Sequence, residues 1–135
     1  LDARVTGDSV ARLVVFGSGQ LEWGPGSGTR DTNLYRVSAN VLGTDDDFAV
    51  AAAGKGLRVA EGSNARMGIS TLVAGTVVVS NTSVTANTRI FLSHVTTGGT
   101  VGVLTVTRSA GTSFTVNSSS ALDTSTVNWL LLEPA

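Results

Sequence analysis

"TVNWLLL", residues 126–132, carries the pattern that decides how this chain folds. Side chains alternate across a strand, so Val127, Trp129 and Leu131 point one way while Leu130 and Leu132 point the other. "RIFLSHV" (89–95) has the same character, with Ile90 and Leu92 opposed by Phe91 and Val95. A small antiparallel sandwich covers one face of each sheet and leaves the other wet. Apolar residues on both faces need a second cover, either another copy of the chain or burial as a central strand in a monomer. At roughly 25 cal/mol per Å² of apolar surface buried, a few leucines per chain make self-association substantial. An oligomer is the expectation.

Working outward, "TVVVS" (76–80), "VGVLTVTR" (101–108) and "SFTVN" (113–117) are further short strands. They are separated by "NTSVTAN", "TTGGT", "SAGT" and "SSSALDTS", which have turn chemistry. "ARLVVF" (11–16), "GSGQ" and "LEW" form a plausible hairpin, with Gly17 and Gly19 available for positive φ. No convincing helical period is present, and only "DDDFAVAAAG" (45–54) suggests a helical turn, ended by Gly54. The fold class is all-β.

Composition divides the chain. Residues 1–62 hold fourteen of its nineteen charged side chains, whereas in residues 63–135 Ser and Thr make up 25 of 73 positions. Nine basic against ten acidic residues give a net charge of -1, with no broad attraction for nucleic acid or an anionic membrane. No apolar run is long enough to span a bilayer. There is no cysteine, so disulfides and thiolate metal sites are excluded. The chain opens "LDARVTGDSV", with Leu1 in place of an initiator Met, which suggests a piece of a longer polypeptide.

Catalytic patterns are missing. "AAAGKG" (51–56) lacks both the leading glycine and the Ser or Thr of a phosphate loop. His94, the sole histidine, neighbours Ser93 on a strand, where adjacent side chains point apart; a satisfied structural histidine is expected. Asp45, Asp46 and Asp47 lack the alternate spacing and closing Glu of a Ca²⁺ loop and are read as a solvated turn. Glu22, Asp31 and Glu61 offer no obvious acid–base pair. Asn81 and Asn117 begin glycosylation-like triplets that a Ser/Thr-rich chain produces by chance. No catalytic, cofactor or metal residue is nominated, and the chain is not expected to be an enzyme.

"GSGQLEWGPGSGTRDTNLYR" (17–36) followed by "ANVLGTDDDFAVA" (39–51) resembles a segment of bacteriophage tail-fibre and minor tail proteins, particularly those of actinobacterial phages. The matching positions are Leu21, Trp23, Gly24, Asp31 to Arg36, Leu42, Thr44, Asp45 and Asp46. "KGLRVAEGSNARMG" (55–68) with "DTSTVNWLLLEPA" (123–135) is similar to C-terminal domains of tail fibres, tail spikes and head fibres. The resemblance implies a parallel homotrimer, with a shaft or adaptor segment over 1–54 leading into a jelly-roll-like antiparallel β-sandwich head over 55–135. It implies a structural protein of the virion, made in the host cytoplasm and exposed on the particle, with other tail or capsid proteins and a host-surface glycan as partners. Trp23, Leu34, Tyr35, Trp129, Leu130 and Leu132 are then the packing anchors. Receptor-facing loops are expected at Asn81, Thr82 and Asn87, at Thr96 and Thr97, and at Ser119 and Ser120. A capsid fibre without receptor duty and a carbohydrate-binding module using Trp23 and Tyr35 are the alternatives.

Overall fold

The computed structural model describes residues 1–134, which contain eleven strands and no helix. The chain divides into two compact units, Leu1–Gly56 and Leu57–Ala135.

The first unit is an antiparallel meander, β1 (Asp2–Ala3), β2 (Leu13–Val15), β3 (Leu21–Trp23), β4 (Thr32–Ser38) and β5 (Val41–Gly43), in that order. The β2–β3 hairpin closes as expected, with Gly19 in the left-handed region at φ 88° and its N–H donated to the Phe16 carbonyl. Pairing sets Leu13 opposite Trp23 and Leu21 opposite both Val15 and Leu34, so these five side chains share one face. Val14, Glu22, Asn33 and Tyr35 occupy the other. Ala11 is the buried hydrophobic residue of this unit; the apolar face itself is half-buried, with Trp23 37% exposed.

The second unit is a sandwich of six strands: β6 (Met67–Thr71), β7 (Thr76–Ser80), β8 (Arg89–Thr96), β9 (Leu104–Ser109), β10 (Ser113–Ser118) and β11 (Thr126–Leu132). They form two three-stranded antiparallel sheets, ordered β7–β10–β9 and β6–β11–β8. The central strands supply most of the core: Phe114 and Val116 from β10, and Val127, Trp129 and Leu131 from β11. Val77, Val79, Leu104 and Val106 close it from one sheet, Ile90 and Leu92 from the other. Trp129 meets Phe114 edge to face at 5.3 Å and 74°, and its Nε1 donates to Ser70 Oγ at 3.1 Å. An edge-to-face aromatic pair with its polar tip satisfied is a favoured core arrangement. Trp129 is therefore a packing anchor inside its own sandwich.

Gly68 lies directly opposite Trp129 in the ladder. A Cβ at that position would overlap the indole ring. Strand β6 thus carries glycine where its neighbour carries the largest side chain of the core, and the two sheets close over the pair.

Two expectations change. No helix forms over residues 45–54; Asp45 and Asp46 instead bind Asn33 and Tyr35, which holds a bend at 45–46 beside β4. "VGVLTVTR" becomes strand only from Leu104, because the amides of Gly102 and Val103 donate to the side chains of Asp123 and Ser119 rather than to a neighbouring strand.

Replacing Gly68 with Ala should destabilise the sandwich by about 1–3 kcal/mol, the usual cost of overpacking. The shift in urea midpoint, with an unchanged slope, measures it.

Candidate functional site

The three loop groups nominated from sequence do not share a surface. Residues 64–66, 81–88 and 109–112 lie at the end where the chain enters the sandwich, together with Glu133. Asn81 Nδ2 donates to the Ala65 carbonyl at 2.7 Å, and its Oδ1 accepts from the Ser83 amide and hydroxyl. Asn81 is buried, so its nomination as a receptor contact is overturned: its amide holds the loop from within. Thr82 and Asn87 are exposed on this end. Glu133 accepts from Thr85, Thr88 and Arg66, and these bonds, that of Thr88 foremost, hold its carboxyl below the usual range.

Residues 96–103 and 118–125 meet at the opposite, far end, joined by the turn 73–76. One side chain organises them. Asp123 is fully buried; Oδ1 accepts from the Ser125 amide at 3.0 Å, and Oδ2 from the Gly102 amide at 3.0 Å and the Ser118 hydroxyl at 2.7 Å. Its backbone continues the knot: the carbonyl accepts from Gly75, and Thr124 and Thr100 bond to Gly98 and Leu122 across the gap. Gly99, at φ 63°, leaves no room for a Cβ against the Leu122 carbonyl. Hydrogen bonds from Ser125, Gly102 and Ser118 favour the charged form and lower the Asp123 pKa far below the ordinary 3.8, against the opposing effect of burial.

Around that hidden carboxylate the far end is uncharged. Residues 72–76, 96–104 and 118–125 contain no other ionisable side chain. Thr96, Thr97, Thr100 and Ser119 are exposed hydroxyls, Ser120 is half-buried, and Val73, Val103 and Leu122 stand out between them. The surface is a rigid mosaic of hydroxyl and aliphatic groups on mutually braced loops. Sequence reasoning placed Thr96, Thr97, Ser119 and Ser120 here but missed Asp123. The signal was present: it is the sole charge in a long neutral stretch, and a solitary carboxylate among Ser, Thr and Gly suits a buried acceptor.

His94 points inward towards the same knot, its Nε2 3.7 Å from Asp123 Oδ2. Ser93 faces outward, as alternation requires. The expectation of a satisfied histidine is not met, because Nε2 is buried without a hydrogen-bond partner.

In the first unit the phrase 17–51 is a self-bracing device. The Asn33 amide donates to Asp46 Oδ2 at 2.7 Å, Asn33 Oδ1 accepts from the Asp45 amide, and the Tyr35 hydroxyl donates to Asp45 Oδ1 at 2.7 Å. That last bond, to a carboxylate, raises the Tyr35 pKa. Arg30 pairs with Glu22 at 2.7 Å and lies over the Phe16 ring. Trp23 and Leu34 share the apolar face, whereas Tyr35 is on the opposite one. Trp23 and Tyr35 therefore build no common aromatic platform. Leu130 and Leu132 lie on the outer face of the β6–β11–β8 sheet, half-buried and exposed respectively.

Residues 64–132 match the family model described as K1 capsule-specific polysaccharide lyase, C-terminal domain. The match covers just over half the chain and runs from the segment before β6 to the end of β11, the whole sandwich. Comparison with curated proteins and with solved structures yields no match.

Asn at position 123 can present its single oxygen to Ser125 or to Gly102 and Ser118, not to both. Asp123→Asn should lower the melting temperature, on the order of 10 °C, by leaving buried donors unpaired. Because folding depresses the carboxyl's pKa, the unfolded chain takes up protons first as pH falls. Stability should hold above about pH 5 and decline steadily below the ordinary carboxylate value near 4; this acid limb should be shallower in Asp123→Asn. Thermal melts from pH 7 to pH 2.5 test both points.

Proposed function

The chain belongs to the family of K1 capsule-specific polysaccharide lyase C-terminal domains, and from that premise we propose that it is a structural, non-catalytic module of a bacteriophage tail fibre or spike. On this reading three copies associate in parallel, the first unit joins the head to the rest of the fibre, and the far end of the sandwich faces the host surface. The observation that carries the proposal is the far-end knot. Two loops are pinned to the buried Asp123 carboxylate and the turn 73–76 to the same residue's backbone carbonyl, so their exposed groups are held in place, as a recognition surface on a braced scaffold requires.

The chemistry of the residues supports a structural role. Asp123 is enclosed and already accepts three hydrogen bonds, so it is poorly placed to abstract a substrate proton. Asp45, Asp46 and Glu133 are engaged in bonds that hold loops. The name of the matched family refers to a lyase acting on capsular polysaccharide, and the match is to its C-terminal domain. A capsular or other surface glycan is accordingly the partner proposed for this chain. It would be met through the hydroxyl and aliphatic mosaic rather than by charge, since the far-end loops carry no exposed ionic side chain. The capsid-fibre alternative has no specific observation in its favour.

The test is binding of the fluorescently labelled chain to a panel of encapsulated and capsule-free bacterial cells. At least one encapsulated strain should bind. Substituting Thr97, Thr100 and Leu122 together with Glu should weaken that binding at least tenfold, while Ala at both Thr82 and Asn87, on the entry end, should leave it unchanged. Equal binding by the two variants would contradict a far-end recognition surface.

A further inference from the structure

The two outer faces of the sandwich differ in kind. On the β7–β10–β9 sheet the outward positions are Thr76, Val78 and Ser80, then Ser113, Thr115 and Asn117, then Thr105, Thr107 and Ser109, a hydroxyl-rich surface with one aliphatic residue. On the β6–β11–β8 sheet the ladder sets Met67, Leu130 and Phe91 in one row and Ile69, Asn128 and Ser93 in the next, with Leu132 beyond. Ile69 and Phe91 are each 56% exposed and Leu132 50%. A shallow depression lined by Met67, Phe91 and Leu130 runs across the middle, with Ser93 and Asn128 at its side.

We propose that this second face is buried against the same face of neighbouring copies, so that β6–β11–β8 forms the inner wall of the assembly and β7–β10–β9 its wet exterior. The proposal deepens the trimeric reading above and rests on it for the number of copies. Area supports it: the three half-exposed side chains leave on the order of 100 Å² each, and Met67 and Leu130 a smaller share, so the face offers roughly 400 Å² of apolar surface. That approximates the apolar share of one partner's ~800 Å² in a standard interface. Charge supports it as well. Around a threefold axis the central residues of each copy meet their own counterparts, so ionic groups there would repel. The two central rows carry none, and Arg89 lies only at the edge, opposite Leu132. Ser93 and Asn128 give this neutral face donors and acceptors that can pair with their own counterparts, fixing the relative placement that leucines alone leave loose.

Light scattering on the intact 135-residue chain and on three variants tests the assignment. The natural chain should have three times the 13.7 kDa mass of one copy. Ile69→Asp and Phe91→Asp should each reduce it to that of a single chain while keeping the near-ultraviolet signal of the Trp129 environment. Val78→Asp, on the hydroxyl-rich face, should remain trimeric. If Ile69→Asp fails to fold, Ile69→Thr, which keeps the branched shape, should raise the half-dissociation concentration at least tenfold. A trimer that survives both Ile69 and Phe91 substitutions overturns this face and leaves the trimeric reading standing; a natural chain that runs as a monomer overturns both.

Discussion

Strand β11 is apolar on both sides, and a three-stranded sheet can hide only one of them within its own sandwich. Val127, Trp129 and Leu131 occupy the core against Phe114 and Val116. Leu130 and Leu132 continue the same strand outward beside Phe91 and Met67. Other features follow from that constraint. Gly68 makes room for Trp129, β10 supplies the facing half of the core, and the opposite outer face can remain hydroxyl-rich because it has no comparable surface to hide. The first unit presents the same imbalance on a smaller scale, with Leu13, Val15, Leu21, Trp23 and Leu34 on one face of a five-stranded meander.

The two ends of the sandwich are held by carboxylates rather than by additional core. Glu133 ties the entry-end loop through Thr85, Thr88 and Arg66, and Asp123 ties the far-end loops through Ser118, Ser125 and Gly102. Both groups accept several hydrogen bonds in their charged form, which gives loops of small residues a fixed geometry without large side chains. On the proposed reading, apolar side chains serve assembly along one face, while hydroxyl-bearing loops braced from beneath remain available at the far end.

Much of this was readable from the residues. Strands β7, β8, β10 and β11 follow the alternation in "TVVVS", "RIFLSHV", "SFTVN" and "TVNWLLL", and the two-sided pattern of β8 and β11 appears in the structure as drawn from sequence. What escaped has identifiable causes. Strand β6 contains Gly68, a weak strand former whose purpose is visible only beside Trp129. Strand β4 lies within a phrase rich in Asp, Thr and Asn that looks like loop, because the partners Asp45 and Asp46 are ten or more residues away. Asn81 reads as a surface residue in any composition-based scheme, yet it is buried and its side-chain amide donates to the Ala65 carbonyl. The far-end site was half legible: its exposed Thr and Ser were nominated, but the buried Asp123 beneath them depends on contacts among three separated segments. Placement of the 81–87 loop at the entry end, away from the other two loop groups, likewise depends on strand order, which local sequence does not specify.

The most direct measurement of the central claim is an isotope-filtered nuclear Overhauser spectrum on a mixture of labelled and unlabelled chains. A face buried between copies predicts intermolecular contacts from the Phe91 ring to the methyl groups of Met67, Ile69 and Leu130, and none from Val78. Intermolecular contacts confined to other surfaces, or absent altogether, would contradict it.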